Sequence, residues 1–343
     1  MPTNAGLNEE TTMTAERAAD RWAFAQRHVA GAESMAPASS DASFRSYWRV
    51  TSANRSYIVM DAPPEREDCR PFIAVAQRLR AAGLNAPEVH AEDLKLGFLL
   101  LSDLGSRSYL PELNSESADT LYADALQALA RMQSDVPTLE LPEYDAVRLQ
   151  NEMELFPEWF LARHLGYSQT ASDRELLAST FKGLLDSALL QPRSFVHRDY
   201  HSRNLMIVPE ANPGILDFQD AVLGPVTYDL VSLLRDCYIA WPEERVYAWV
   251  EQHRLTLSNL GVCHADSAQF RRWFDWMGVQ RHLKVLGIFA RLHYRDGKAS
   301  YLQDLPLVLH YVLTACQRYR ALQPFAMWLQ ARTAGLDLTV ARV

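Results

Sequence analysis

Phe195-Val196-His197-Arg198-Asp199-Tyr200-His201-Ser202-Arg203-Asn204-Leu205-Met206-Ile207-Val208 decides how this chain is read, with Gly214-Ile215-Leu216-Asp217-Phe218 close behind it. Apolar runs flank the polar loop on both sides, so the loop reads as a connection between two strands. Such a connection can hold Asp199 outward while Asn204, five positions on, turns back toward the same point. Asp217 follows the apolar Gly214-Ile215-Leu216, where a strand delivers a carboxylate to a fixed place. A lone HxD or DF means little, and Asn and Asp are ordinary turn residues. HRDxxxxN followed by a strand and then DF is a far more specific compound pattern.

Working outward, the region before the loop divides in two. Thr14 caps a helix running to about Ala30, with Trp22, Phe24 and Ala25 among its apolar positions. Tyr47-Trp48-Arg49-Val50 and Tyr57-Ile58-Val59-Met60, separated by a polar turn, read as a hairpin. A break at Pro63-Pro64 precedes an amphipathic stretch from Pro71 to Ala82, and Pro87 to His90 and Gly97 to Leu101 read as two further strands. From Leu110 the periods become helical, including Ala118 to Met132, Ser172 to Leu190, Val231 to Ala240, Phe270 to Leu292 and Leu305 to Leu322. The expectation is an α+β, bilobal chain: a polar tail over 1–13, a small β-rich N-lobe over 14–104, and a larger helical C-lobe over 105–343 that carries the loop.

Composition sets limits on partners and compartment. At 343 residues, 48% hydrophobic and 22% charged, the chain has room for two packed units and little reason for disorder beyond its ends. A net charge of −8 supplies no broad cationic footprint for nucleic acid. The longest apolar stretch, around Leu96 to Leu101, is too short to cross a bilayer, and the polar start carries no secretory signal pattern. Cys69, Cys237, Cys263 and Cys316 are dispersed and form no zinc spacing, which fits a reducing compartment. These features point to a cytoplasmic protein that binds neither nucleic acid nor membrane, and leave its oligomeric state open.

Phosphoryl transfer needs a carboxylate near the attacking hydroxyl and oxygen ligands for a magnesium ion that bridges nucleotide phosphates. Asp199, Asn204 and Asp217 supply these types. His197 orders the loop by hydrogen bonding, and Asp229 is a helix-terminal or loop-ordering carboxylate. The chain resembles the aminoglycoside phosphotransferase superfamily, of protein-kinase-like fold, over almost its full length, with His197 to Asn204 and Asp217 matching residue by residue. Within it, the chain is most similar to the bacterial anomeric kinases of cell-wall recycling, which phosphorylate N-acetylmuramate and N-acetylglucosamine at the C1 hydroxyl. Ser40-Asp41-Ala42-Ser43-Phe44-Arg45, Met60-Asp61-Ala62-Pro63-Pro64, Leu155-Phe156-Pro157-Glu158-Trp159, Leu216 to Ala221 and Gly278 to Lys284 carry that likeness. It implies ATP and Mg2+, with Asp199 as catalytic base, Asn204 and Asp217 on the metal, and His197 and Arg203 as support for the loop.

On the nucleotide side, the segment Ser39 to Arg45 sits where a phosphate loop belongs, without its glycines, and Ser40, Ser43 and Arg45 are the candidate contacts. Ser102 and Asp103 sit at the lobe connection that the resemblance assigns to the adenine edge. Met60 stands where such folds carry a phosphate-binding Lys, so Arg45 or Arg49 takes over, or the charge is left mostly to Mg2+. On the acceptor side, Arg281, Lys284, Arg291 and Arg295 share roughly one face of a helix, a cationic stripe suited to a substrate carboxylate. Glu152, Glu154, Trp159 and Phe160 form a second candidate wall. The alternatives are a kinase of an aminoglycoside, a choline-like alcohol or homoserine, and a nucleotide-binding pseudokinase suggested by Met60.

Overall fold

A computed structural model describes residues 4–40, 44–53 and 55–341, with side chains from residue 15 onward and without that of Ser40. The chain divides into two compact units, Met1–Arg107 with Met206–Asp220, and Ser108–Leu205 with Ala221–Val343. The second crossing gives the first unit the Asp217 segment, which a single boundary near residue 104 does not anticipate.

In the first unit, α1 (Asn4–His28) precedes β1 (Ser34–Ser40), β2 (Ser46–Ser52) and β3 (Arg55–Asp61), then α2 (Arg70–Ala81), β4 (Val89–Asp93) and β5 (Phe98–Ser102). The strands form one antiparallel sheet of order β1-β2-β3-β5-β4. The hairpin read from residues 47–50 and 57–60 is present, with Tyr47 opposite Met60. Helix α1 starts at Asn4, ten residues before the expected cap at Thr14, so residues 4–13 are helical. The edge strand β1 was also unforeseen: Ser-Met-Ala-Pro-Ala-Ser-Ser has no apolar alternation, and its ladder to β2 holds it in the sheet. Phe24 and Ala25 of α1, with Val29 just past its end, pack on Val50, Val59, Phe98 and Leu100 of the sheet. Arg17 and Arg21 pin the same helix to the end of β3, donating to Asp61 at 2.8 and 2.6 Å. Asp61 is buried, and two guanidinium partners offset the cost of desolvating it.

The second unit runs α3 (Tyr109–Glu112), α4 (Ala118–Asp135), α5 (Ala146–Met153), a π-helix (Phe156–His164), α6 (Ala171–Leu189) and β6 (Arg193–Val196). After the loop that follows β6 the chain passes back into the first unit, with the short strands β7 (Leu205–Met206), at the boundary, and β8 (Gly214–Ile215); the second unit resumes with β9 (Val222–Pro225), α7 (Tyr228–Leu234), α8 (Glu243–Asn259), α9 (Ser267–Tyr294), a 3-10 turn (Ala299–Asp304), α10 (Leu305–Arg318) and α11 (Gln323–Thr333). Helix α7 stops at Leu234, short of the expected Ala240, because Arg235 leaves helical geometry and sends its guanidinium to Asp275 at 2.7 Å.

Helix α9 is the axis of this unit. Every residue from Phe274 to Gly287 is buried, and Val279, Leu283 and Leu286 join Phe156, Phe160, Phe181, Val308 and Phe325 in one core. A helix buried all round must pair whatever charge it carries. Among the described residues no helix is long and apolar enough to cross a membrane.

Gly287 lets α9 touch the chain just ahead of the π-helix. A Cβ there would stand 2.4 Å from the carbonyl carbon and oxygen of Leu155, backbone atoms that cannot swing aside. Gly287→Ala is expected to destabilise by about 1–3 kcal/mol, the usual cost of overpacking, lowering the midpoint of thermal unfolding by several degrees. An unchanged midpoint would contradict this packing.

Candidate active site

The loop after β6 is braced at almost every residue. Strand β6 pairs with β9 from Arg193↔Pro225 to Val196↔Val222 and delivers His197 into the interior. Asp229, in the first turn of α7, accepts the backbone N–H of His197 at 2.6 Å and of Arg198 at 2.9 Å. These bonds help hold Arg198 at φ +79°, a left-handed conformation that a non-glycine residue seldom adopts. His197 Nδ1 accepts the Asp199 N–H at 3.2 Å, and Asn204 Nδ2 donates to the Asp199 carbonyl at 3.0 Å. Asp236 accepts both the backbone N–H and the hydroxyl of Ser202. Tyr200 is buried and donates to the Ala125 carbonyl at 2.9 Å.

Behind the loop lies a cluster of buried charge. Arg281 Nη1 donates to the Arg198 carbonyl at 3.0 Å and stands 3.9 Å from Asp199 Oδ1, whose side chain is 40% exposed. Lys284 Nζ donates to Tyr228 Oη at 3.1 Å and pairs with Glu152 at 3.0 Å, and Arg198 pairs with the same Glu152 oxygen at 2.7 Å. The Tyr144 hydroxyl donates to the other Glu152 oxygen. Burial would raise the carboxyl of Asp199, but Lys284 and Arg281, with His201 and Arg198, hold it down at about 2. Burial acts on Glu152 in the same upward sense, and Lys284 and Arg198 keep it below the usual carboxylate range.

This geometry corrects the acceptor-side expectations. Arg281 and Lys284 are buried and committed to Tyr228, Glu152 and the loop, so they brace Asp199 and do not present an outward stripe. Glu152 is their counter-ion. Arg291 is half-buried two turns further along α9, about 10 Å up the axis. Arg295 pairs with Asp296 at the surface. Phe160 belongs to the core and Glu154 is exposed, hydrogen-bonded to Gln150, while Trp159 is half-buried on the π-helix. Arg203, expected to support the loop, lies instead with its guanidinium 3.5 Å from the Tyr238 ring centroid. The bracing comes from Asp229, Asp236 and Arg281; Asp229 is legible in the sequence as a loop-ordering carboxylate at a helix start, whereas Asp236, Tyr144 and Tyr228 carry no such signal.

In the first unit, Asp217 sits at φ +63° after β8, while buried Phe218 packs on Phe72 of α2 with ring centroids 4.8 Å apart. Gln219 donates to Asp217 Oδ1 at 2.9 Å, and Arg45 Nη2 lies 3.6 Å from the same oxygen. Met60 is fully buried between Tyr47 and Leu99 of the neighbouring strands. Arg49 is spoken for: it pairs with Asp103 at 2.7 and 3.1 Å and donates to the Gly105 carbonyl at 2.8 Å. Asp103 also accepts the Gly105 N–H at 2.9 Å, and the Ser102 hydroxyl accepts the Glu88 N–H at 2.8 Å, so both side chains serve the turn. Ser40 ends β1, Arg45 directly precedes β2, and Ser43 lies outside the described residues.

Three comparisons bear on this arrangement. The phosphotransferase enzyme family (APH) matches residues 34–254. The N-acetylmuramate/N-acetylglucosamine kinase of Pseudomonas aeruginosa is 50% identical over 283 residues, covering 82% of this chain and 83% of that protein. The enzyme of the same name from Pseudomonas putida is 48% identical over 282 residues, again 82% and 83%. The ADP-bound crystal structure of the aminoglycoside phosphotransferase APH(2'')-Ib superposes with a TM-score of 0.57 over 85% of this chain and 97% of that one, at 13% identity, a likeness of fold alone. Matched over most of its length by that family and by these relatives, the chain belongs to the phosphotransferase enzyme family.

Proposed function

We propose that this protein is a cytoplasmic kinase that transfers the γ-phosphoryl group of ATP to the C1 hydroxyl of N-acetylmuramate and N-acetylglucosamine in peptidoglycan recycling. Its likeness to kinases of that name, at 48 to 50% identity, supports the acceptors, and the ADP held by a phosphotransferase of the same fold supports the donor. The observation that carries the chemistry is the hold on Asp199: a half-buried carboxylate on a loop fixed from behind by Asp229 and Arg281.

In this reading Asp199 orients the acceptor hydroxyl toward the γ-phosphorus and takes its proton late, as the new O–P bond forms and ADP leaves. A carboxylate held at about 2 is a weak base. That suits a hemiacetal hydroxyl, which is more acidic than an ordinary alcohol, and a transition state that asks little of its base. Asn204 and Asp217 offer the hard oxygen donors that magnesium prefers, the Asn204 amide being anchored through its nitrogen to the loop. Magnesium, when bound, would neutralise charge on the transferring phosphates. With Met60 buried and Arg49 engaged by Asp103, Arg45 is the cation of the first unit that takes the place of the usual Lys. That role speaks against the pseudokinase reading.

Turnover is tested by ADP release from Mg·ATP with each of the two sugars and with kanamycin. Release with the sugars alone is expected, and release with kanamycin alone would overturn the acceptor assignment. Asp199→Asn is expected to lose about 100-fold or more in kcat while still binding Mg·ATP; turnover near the parental rate would remove Asp199 from the mechanism. For the nucleotide, Arg45→Met is expected to raise the KM for Mg·ATP about tenfold, the loss of one charge-assisted contact. Arg49→Met should instead lower thermal stability, and the reverse pattern would reassign the two arginines.

A further inference from the structure

The second unit sets several cations around its catalytic loop, and nearly all of them are consumed by the fold. Arg198 pairs with Glu152, Lys284 shares that carboxylate and the Tyr228 hydroxyl, and Arg281 is buried against Tyr228 and the loop backbone. Arg203 differs. It follows Asp199 by four residues, is exposed, and makes no hydrogen bond or ion pair with any described residue. Asp304, in the 3-10 turn, feels its field without reaching ion-pairing distance.

What holds Arg203 is an aromatic surface. Its guanidinium lies over the Tyr238 ring at 3.5 Å, a stacking geometry that favours a cation. Tyr238 is set in turn by His201 of the same loop, edge-on at 5.6 Å, and by Phe289 of α9, stacked at 6.3 Å. The ring contact fixes the side chain while leaving the N–H fork uncommitted, the condition for a low entropic cost on binding an anion. A planar fork with its donors uncommitted is matched geometrically by a carboxylate.

The two acceptors proposed above differ in one group: N-acetylmuramate carries a lactyl ether on C3, two carbons from C1, and with it a carboxylate. We propose that Arg203, presented on Tyr238, recognises this carboxylate and sets the preference for N-acetylmuramate over N-acetylglucosamine. This rests on the acceptor reading given under the proposed function. It also relocates acceptor charge recognition from the buried Arg281 and Lys284 to a residue with donors to give.

The test measures kcat/KM for both sugars with the wild-type chain, Arg203→Met and Arg203→Lys. Arg203→Met is expected to lower the ratio of N-acetylmuramate to N-acetylglucosamine efficiency about tenfold or more, as loss of one charge-assisted hydrogen-bonded contact does. Arg203→Lys, which keeps charge and loses the fork, should recover part of that ratio. If the wild type turns over both sugars and the ratio stays within about twofold in Arg203→Met, the inference is wrong and the acceptor reading stands. If the wild type turns over neither sugar, the acceptor reading fails and takes the inference with it.

Discussion

Charge buried on α9 is the constraint on which the second unit depends. A helix enclosed from Phe274 to Gly287 must nonetheless carry Asp275, Arg281 and Lys284. Unpaired, each would cost several kcal/mol, so each is matched. Asp275 meets Arg235 and Arg318, and Lys284 meets Glu152. Arg281 closes on the Arg198 carbonyl and Tyr228 and lies near Asp199. The same pairing that makes the helix tolerable in the core therefore fixes the backbone ahead of Asp199 and keeps that carboxyl ionised. Stability and chemistry share one set of contacts, and the π-helix beyond Leu155, seated against Gly287, belongs to the same packing.

The first unit solves a parallel problem with arginine. Arg17 and Arg21 neutralise the buried Asp61 at the end of β3, and Arg49 neutralises Asp103. Only then does Arg45, side chain 9% exposed, reach the oxygen of Asp217. The strand position at Met60 is given over to hydrophobic packing. Arg45, directly ahead of β2, is the guanidinium that stands near Asp217 in its place.

Much of this was legible in the residues, for identifiable reasons. The hairpin of β2 and β3 and the helices α2, α4, α6, α9 and α10 announce themselves by apolar period, and the loop from His197 to Asn204 by residue types at fixed spacing. Helix α1 before Thr14 and the strand β1 were not legible, because the former lacks a sharp cap and the latter draws its order from β2. The helical period put Arg281, Lys284, Arg291 and Arg295 on roughly one face of one helix; α9 carries the first three and ends at Tyr294, and period says nothing about depth. Burial turned the first two inward and left Arg203, a residue with no periodic signal, as the exposed cation by the loop. Partners distant in sequence, such as Glu152 for Lys284 and Asp236 for Ser202, emerge only once the fold is assembled.

Glu152 and Lys284 form one interdependent charge set behind the loop that carries Asp199. A double-mutant cycle on Glu152→Gln and Lys284→Met, read by chemical denaturation, tests it directly. If the account holds, the double variant loses less stability than the sum of the single losses, by about 1–3 kcal/mol. Losses that simply add would mean the two residues act separately and would contradict the account.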